Sequence, residues 1–419
     1  MTTTTGASRA ERTARTREAL VQAAFHLFAE RGFRAVSLRD VAKRAGVSHP
    51  ALLKHFPDKD ALLAATLERL ELDAQTDGLD AVSPAELGFS QVARHNAGVP
   101  GYLPLFASLV GEASAATHPA HDALRSHALR FRAAAADVLA GARDDGVFAS
   151  DRDPGREALR MAAAWDAVQV MEQYLPDRVD TARALERHEE LLCHPVGWRA
   201  AGDVPHGVEG QGELPHLVPE AEDELRTGYR AGRARRRRII EDATCLFARE
   251  GYTDTSLRDI AAQVGVSKSA LYHHFPSKEA LLLAVAEERD RRIDELAQDF
   301  TGRSGSSILR SMPESAATNE RDQPGLVELY AVLSCEAVPP THAAHDYFAR
   351  RFARTLDSFE SLFRAAAEAG TLPAHRDPAH EAIWFVALWD GLQYHWLYDR
   401  DGVDVAANLR AHFDDVLPG

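Results

Sequence analysis

Residues 32–63 read GFRAVSLRDVAKRAGVSHPALLKHFPDKDALL, and residues 251–282 read GYTDTSLRDIAAQVGVSKSALYHHFPSKEALL. The two stretches lie 219 positions apart and are identical at 18 of their 32 positions. A period of that length is a whole domain and not one unit of a short repeat protein. Each stretch predicts a helix, a glycine turn and a second short helix, the order of elements in helix-turn-helix proteins that read DNA. One chain is therefore expected to carry two reading heads where symmetric DNA-binding proteins usually need two chains.

The residues before and inside the first stretch predict a supporting helix and a shorter second helix. Apolar residues recur at three- and four-residue steps over 12–31, and Gly32 ends that helix. Ser37 can cap the second helix, and Asp40 three positions later nearly completes a capping box. The turn that follows is expected at Gly46.

The third helix of this head is expected to enter the major groove of DNA. Ser48 can cap it, and Pro50 is tolerated because it lies in the first helical turn. Its exposed N-terminal side chains would meet base edges, while Lys59 and the free N–H groups of a fourth helix can hold a phosphate. The DNA-contacting residues predicted for this head are Ser37, Arg39, Ser48, His49, Pro50, Lys54, His55 and Lys59.

The second stretch follows the same pattern with different side chains at the DNA-facing positions. Five arginines, at 233 and 235–238, open its supporting helix and favour contact with phosphates or the minor groove. The start of a solvated helix explains the same cluster without DNA. The DNA-contacting residues predicted for this head are Arg235, Arg236, Ser256, Arg258, Ser267, Lys268, Ser269, Tyr272, His273, His274 and Lys278.

Both stretches resemble the TetR family of bacterial one-component regulators, whose hallmark is a Gly-Val-Ser turn followed by Ala-Leu-Tyr-x-x-Phe and a lysine. The second stretch matches this pattern throughout, from Gly265 to Lys278. The first stretch has Leu53 where the family tyrosine would contact a phosphate, and the adjacent Lys54 can supply a charge instead. Because one neutral hydrogen bond contributes only about 0.5–1.5 kcal/mol, we expect the first head to be weaker but active.

The resemblance also implies which side chains face the bases. Arg39 and Arg258 resemble residues that reach guanine, whose O6 and N7 suit the arginine fork, although each can pair with a phosphate instead. His49–Pro50 in one head stands where the other has Lys268–Ser269. Proline offers only apolar contact, whereas lysine can donate to guanine, so we expect unlike half-sites and an imperfect palindrome.

The distribution of charge agrees with DNA binding although the chain as a whole is acidic. The formal net charge is −15, but residues 1–70 carry +5 and residues 226–290 carry +3, which leaves −23 on the rest. Positive potential is thus confined to the heads, and the acidic remainder opposes nonspecific wrapping of DNA.

Length and composition favour a cytoplasmic protein of two units. A chain of 419 residues is too long for a single core. It has no apolar run of about 18 residues, the length that spans a bilayer, and residues 1–8 lack the features of a secretion signal. The three cysteines have no spacing that suits zinc or a disulfide framework. We expect no cofactor and no metal.

Past each head the duplication continues at an offset of 224 residues. Trp165-Asp166 with Gln169 recurs as Trp389-Asp390 with Gln393, and a pair of histidines recurs in both halves. We expect the histidines to cap and pack helices, since no further metal ligands cluster with them. Long amphipathic helices are predicted over 119–145, 154–175 and 181–193, with counterparts that start near 341, 378 and 403.

In the TetR family such domains are all-helical, and their last two long helices join a partner's in a four-helix bundle. Here the partner can be the other half of the same chain. The resemblance therefore implies an intrachain pseudo-dimer, and further self-association of two chains stays open.

Aromatic side chains concentrate near the end of the second half, where they can line a pocket for an apolar or aromatic effector or form the bundle core. The first half has a similar but less aromatic set, so loss of one pocket is an open alternative. The candidate ligand-binding residues are Met161, Trp165 and Gln169 in the first half and Phe385, Trp389, Gln393 and Trp396 in the second.

These observations predict an all-α protein of two tandem TetR-like units, each with a three-helix head and a helical regulatory domain. The expected domains are head 1 over 1–70, a regulatory domain over 71–193, a flexible linker over 194–227, head 2 over 228–290 and a second regulatory domain over 291–419.

The expected function is a small-molecule-responsive repressor that binds a double-stranded DNA operator and associates with the nucleoid when bound. An effector-independent regulator or activator is the alternative. An enzyme is a remote one, because the sequence has no phosphate-binding glycine loop, nucleophile elbow or metal-ligand set.

Overall fold

The computed structural model of the chain describes residues 9–75, 87–212, 214, 217, 230–250 and 257–418. Within these ranges the chain forms nineteen α-helices, one 3₁₀ turn and an isolated bridge between Gln211 and Ser304. The predicted all-α architecture is confirmed. None of the described helices combines the length and apolar character needed to cross a membrane.

The first unit consists of a head of four helices and a regulatory domain of five. The head contains α1 (Arg9–Arg31), α2 (Leu38–Arg44), α3 (His49–Leu53) and α4 (Lys59–Gln75). The regulatory domain contains α5 (Phe89–Gly98), α6 (Tyr102–Glu112), α7 (His121–Asp144), α8 (Pro154–Tyr174) and α9 (Thr181–Leu192).

The second unit repeats this order. Its head contains α10 (Arg230–Glu250), α11 (Leu257–Gln263), α12 (Lys268–His274) and α13 (Lys278–Ala297). After a 3₁₀ turn at Gln298–Phe300, its regulatory domain contains α14 (Gly305–Leu309), α15 (Met312–Asp322), α16 (Pro324–Glu336), α17 (His345–Glu368), α18 (Pro378–Tyr398) and α19 (Val405–Val416).

Glycines and serines set the helix ends in both heads. Gly46 and Gly265 make the equivalent turns with φ of 69° and 72°, a left-handed conformation that glycine adopts without strain. The Ser37 side chain accepts from the Asp40 backbone N–H in the predicted capping box. Ser48 and Ser267 cap α3 and α12, the helices predicted to enter the major groove, which we call the recognition helices. The local signals of the sequence thus fix the helix-turn-helix.

The long helices of the regulatory domains begin close to the residues that the sequence predicts. Asp153 and Asp377 cap α8 and α18, and each is followed by a proline in the first helical turn. The paired histidines bond to backbone as expected: His121 and His345, through Nδ1, lie 2.9 and 3.0 Å from the carbonyls of Ala113 and Ala337.

Helices α5 and α6 have no counterpart in the sequence-based prediction. Helix α6 reads YLPLFASLVGE, and nearly all of its side chains are buried. A helix that is apolar on every face shows no 3.6-residue alternation, so periodicity cannot reveal it. Its burial follows from its position between α1, α8 and α16.

The two halves pack against each other along α8 with α18 and along α6 with α16. Gly391 on α18 lies so close to α8 that a Cβ added there would be 1.7 Å from the Ala163 carbonyl oxygen. Only glycine permits this approach of two backbones. The cores of the two units are consequently continuous through these four helices.

Residues 194–212, predicted to be part of a flexible linker, pack along the second half instead. Trp198 stacks on His194 at 4.1 Å between ring centroids and meets His375 edge-on at 4.7 Å. Arg199 donates to the Gly370 carbonyl at 2.9 Å. A high content of proline and glycine predicts a flexible segment. That prediction takes no account of the aromatic and arginine side chains that hold this segment against the second half. Residues 213, 215–216 and 218–227 of the predicted linker lie outside the described residues.

Candidate DNA-binding surface and ligand pocket

The recognition helix of head 1 presents a mixed surface. Pro50, Leu53 and Lys54 are exposed, and His49 and His55 are partly covered. Leu52 is fully buried and anchors α3 to the head. The side chains that face outward thus include those predicted to meet base edges.

The recognition helix of head 2 is more polar. Lys268, Ser269, Tyr272 and His273 are exposed, and Lys268 Nζ lies 5.5 Å from the centroid of the Tyr272 ring. This cation–π contact orients the lysine along the outer face of α12. Burial lowers the pKa of His274, as do the neighbouring His273 and Arg236. The predicted Ser256 lies outside the described residues.

The second helices contribute one exposed arginine to each head. Arg39 on α2 and Arg258 on α11 occupy equivalent positions, and both are exposed. The hydroxyl of Ser37 is engaged with the Asp40 carboxylate. The Ser37 side chain therefore caps α2. The residue itself is exposed on the surface of the head.

Arg236, one of the predicted DNA contacts, has a structural partner inside the protein, and the equivalent residue of head 1 has the same kind of partner. The guanidinium of Arg236 lies over the Phe275 ring at 4.9 Å, and its equivalent Arg17 lies over Phe56 at 5.2 Å. These contacts join the supporting helix to the end of each recognition helix. Arg235, by contrast, is exposed. The repeated Arg–Phe pair was the signal in the sequence that would have revealed this role.

Lys59 is directed toward the regulatory domain. Its Nζ lies 4.1 Å from the centroid of the Phe33 ring and 3.4 Å from the Arg34 carbonyl oxygen. Burial lowers the pKa of this lysine. In this conformation Lys59 packs on its own head, and Glu112 at the end of α6 opposes the effect of burial on its pKa.

The joint between head 1 and its regulatory domain contains an ion-pair cluster that the sequence analysis missed. Arg34 Nε lies 3.0 Å from Glu112 Oε1 and 3.1 Å from Glu336 Oε1. Glu112 is fully buried at the end of α6, and Glu336 ends α16 in the other half. One arginine of head 1 therefore holds a carboxylate from each half of the chain.

A cavity of about 190 Å³ lies in the second half, bounded by α13, α15, α16, α17 and α18. Two of the candidate ligand-binding residues, Trp389 and Gln393, line it together with Tyr330, Phe359 and Val386. Linker residues Leu214 and Leu217 complete its wall. The cavity thus combines an apolar aromatic lining with the segment that connects the two units.

Polar groups are concentrated at one side of this cavity. Arg351 bonds Asp290 at 2.9 Å and the Tyr330 hydroxyl at 2.6 Å. Arg289 Nη1 is buried and has no hydrogen-bond partner. Burial raises the pKa of Asp390 to about 6, against the opposing effect of Arg351. These groups can orient a ligand that carries a polar end.

The corresponding space in the first half is filled by side chains. Phe131 meets Trp165 edge-on at 5.2 Å, and Phe89 meets it from another direction at 6.4 Å. Phe131 corresponds to Thr355, which lines the cavity of the second half. Phenylalanine in place of threonine at this position puts a ring against Trp165 in the first half, where the second half has the cavity wall.

The other predicted ligand-binding residues lie in the core. Phe385 packs among Phe359, Phe363 and Phe413, and Trp396 lies under Arg400. Met161 is fully buried, and Gln169 donates to the Trp165 carbonyl. Helical spacing alone placed Phe385 and Trp396 on the face of Trp389, but only Trp389 reaches the cavity.

Comparison with known protein families gives matches in both units. The family described as "Bacterial regulatory proteins, tetR family" matches residues 20–66 and again residues 239–285. The family described as "BetI-type transcriptional repressor, C-terminal" matches residues 321–418. Both matches to the first family cover the helix-turn-helix.

Individual relatives are also similar to this chain. The regulator AcrR of Shigella flexneri is 28% identical over 189 residues, which is 43% of this chain and 87% of that protein. The regulator YerO of Bacillus subtilis is 30% identical over 118 residues, but the match covers only 40% of YerO and 27% of this chain.

Among solved structures, the chain is similar to the repressor FadR of Thermus thermophilus, crystallised with lauroyl-CoA. The sequences are 24% identical, with a TM-score of 0.33, and the match covers 46% of this chain and all of that one.

Proposed function

The chain belongs to the TetR family of bacterial regulatory proteins, and we propose that it is a repressor released from its operator by a small molecule. As a DNA-binding regulator it would place one head in each of two successive major grooves, about 34–36 Å apart. We further propose that the two halves of one chain form the pseudo-dimer, and that the protein works in the cytoplasm on nucleoid DNA and not as an enzyme.

The observation that carries this proposal is the pair of unlike recognition helices on one continuous core. Pro50 and Leu53 are exposed on α3 where Ser269 and Tyr272 are exposed on α12. Each head would therefore prefer a different half-site, and the operator would be an imperfect palindrome.

The cavity in the second half supports the effector part of the proposal. It is lined by aromatic and apolar side chains, and it adjoins α13, the helix that follows the recognition helix of head 2. A ligand that binds better when α13 is displaced would shift the heads away from the spacing that DNA requires. An apolar or aromatic molecule with one polar group fits the lining.

Selection of bound sites from a random DNA pool with the purified full chain tests the DNA-binding proposal. Enrichment of two unlike half-sites about one helical turn apart is expected. A perfect palindrome would indicate two chains that each use one head. Failure to enrich any sequence would contradict the regulator itself.

The selected operator then serves to test the effector. Apolar and aromatic compounds are screened for release of the labelled operator from the full chain. Release is expected for compounds that quench the tryptophan fluorescence of the full chain but not that of the variant Trp389→Phe. Operator binding that no compound weakens would favour the effector-independent regulator.

A further inference from the structure

Several contacts between the two halves are unequal on their two sides, although others are reciprocal, such as the hydroxyl bonds of Tyr174 and Tyr398 to backbone of the opposite half. Positions of the two regulatory domains correspond at an offset of 224 residues. A symmetric interface would repeat each contact with the roles of the halves exchanged. This protein departs from that symmetry in three ways: in the direction of its ion pairs, in a carboxylate that two arginines share, and in the size of the side chains where two helices cross.

The first departure is the direction of the charges. Arg178 of the first half donates to Asp357 at 2.6 Å and to Glu360 at 3.1 Å in the second. The positions that correspond to these three residues hold Gly402, Ala133 and Ala136. The exchanged contact therefore has no charged member.

Further contacts have the same direction. Arg125 Nε donates to the Tyr398 carbonyl at 2.9 Å, and Arg132 lies 3.8 Å from Asp399. The counterparts of Arg132 and Asp399 are Leu356 and Leu175. One contact has the opposite sense, between His395 and Asp166 at 3.1 Å. The first half mainly contributes arginines, and the second half mainly contributes carboxylates.

The second departure is a single carboxylate between two equivalent arginines. Asp415 lies 2.8 Å from Arg152 Nη2 of the first half and 2.8 Å from Arg376 Nη2 of the second. Both arginines are buried, and they correspond to each other. The counterpart of Asp415 is Leu191. In a pair of two first halves, both arginines would lack this carboxylate. In a pair of two second halves, two such carboxylates would meet at the position that Asp415 occupies alone.

The third departure is side-chain size where α6 crosses α16. A Cβ on Gly111 would lie 2.4 Å from both the Ala331 carbonyl oxygen and Cys335 Sγ. Cys335 is itself the counterpart of Gly111. Two second halves would bring two cysteines together where even one added Cβ does not fit, and two first halves would leave a gap.

We propose that the two halves are specific for each other, so that this interface accepts a first half with a second half and disfavours two copies of either. The proposal rests on the pairing of halves given under the proposed function and extends it. Any assembly through this surface, within one chain or by exchange between chains, brings head 1 beside head 2. Specificity of this kind arises when the wrong pairing leaves charges unpaired or side chains overlapping.

The test uses the full chain with a protease site inserted between Leu217 and Arg230. The folded protein is cut, mixed with an isotope-labelled cut sample, incubated and weighed by native mass spectrometry. Labelled and unlabelled halves are expected to exchange, and every complex is expected still to contain one first half and one second half. Random pairing would put about half of the complexes into pairs of identical halves, and a share near that value would overturn the proposal.

A second measurement uses the uncut chain, so that it does not depend on the cleaved halves remaining folded. Arg178→Glu should lower the unfolding temperature, and adding Asp357→Lys with Glu360→Lys should restore it. Arg183→Glu, at an exposed arginine on α9, is the matched control and should have little effect. No recovery in the triple variant would contradict the assigned charge pairing.

Operator binding by the cut sample separates the two proposals. Pairs of identical halves together with intact operator binding would overturn the specificity alone. Exclusively mixed pairs that bind no operator would support the specificity and count against the regulator.

Discussion

Leu53 and Tyr272 occupy equivalent positions on the two recognition helices, and both are exposed, at 41% and 43%. At a position that is predicted to face DNA, a leucine has no hydrogen bond to donate to a phosphate, whereas a tyrosine hydroxyl has one. The exposure of Leu53 also means that its replacement would disturb little packing.

Leu53→Tyr is therefore expected to strengthen operator binding. One added phosphate hydrogen bond would contribute about 0.5–1.5 kcal/mol, which is roughly 2- to 12-fold in Kd. Tyr272→Leu should weaken binding by a similar factor. Both Kd values are measured at one fixed salt concentration, and unchanged unfolding temperatures serve as the control. Equal affinities for both variants and the parent would show that this position does not contact DNA.

Lys268→Ala and Arg235→Ala should separate base contact from phosphate contact. Loss of Lys268 is expected to cost about 1–3 kcal/mol and to relax base preference at one position of one half-site. Loss of Arg235 should weaken binding evenly across sequences and reduce the slope of log K against log salt by about 0.9. Site selection with both variants measures base preference, and titration with salt measures the slope. A uniform loss for Lys268→Ala would refute its role in reading a base.

Thr355→Phe should close the cavity of the second half, because Phe131 fills the equivalent space in the first. The added ring is expected to reduce effector binding at least about tenfold, or 1.4 kcal/mol, with operator affinity little changed. Operator release is titrated with effector for the parent and the variant. A full response in the variant would move the effector site elsewhere.

Arg34→Met should destabilise the protein by leaving Glu112 buried without its guanidinium. We expect a loss of about 1–3 kcal/mol, less than for a fully enclosed pair because Arg34 is 35% exposed. Adding Glu112→Gln removes the unpaired charge and should recover part of the loss. The free energy of unfolding of the two variants is measured by denaturant titration. If Glu112→Gln recovers none of the lost stability, packing and not charge determines the contribution of Arg34 to this joint.

Acid should destabilise the protein through its buried histidines. Burial, together with Arg187 and Arg376, lowers the pKa of His380 to about 3. Burial and Arg376 likewise lower the pKa of His412 to about 3, against the opposing effect of Asp415. These side chains take up protons on unfolding, so their contribution is complete above about pH 6.5 and is lost as the pH falls toward 3. Each should add about 1.4 kcal/mol per pH unit to the slope of stability against pH in that window.

The raised pKa of Asp390 acts in the opposite sense, because its protonation below about pH 6 favours the folded state. His412→Gln should therefore reduce the slope without reversing it. Unfolding free energies measured between pH 4 and 8 test this. Parallel slopes for the parent and His412→Gln would exclude the histidine as a cause.

Much of the fold was predictable because its signals are local. Ser48 and Ser267 cap recognition helices, and Asp153 and Asp377 precede prolines that start α8 and α18. Such signals need no knowledge of the partner helix. Helix α6 gave no such signal, because its uniform apolarity reflects burial between helices that are distant in sequence.

The site was less predictable for a related reason. A side chain's residue type indicates what it can bind, whereas its direction depends on the tertiary neighbours. Lys59 has the chemistry of a phosphate contact but lies over Phe33, and Phe385 shares a helical face with Trp389 but packs away from the cavity. Arg34 joined to Glu112 and Glu336 spans 302 positions of sequence, which no local pattern encodes.

The packed course of residues 194–212 along the second half has a consequence for gene dosage. A regulator built from two separate chains loses its reading unit upon dilution, so its promoter occupancy falls faster than its copy number. A covalent connection that is already seated on the second half keeps the partner at a high effective concentration however few molecules a cell holds. With the proposed pseudo-dimer, promoter occupancy should then follow the number of chains in direct proportion as long as the operator is far from saturated.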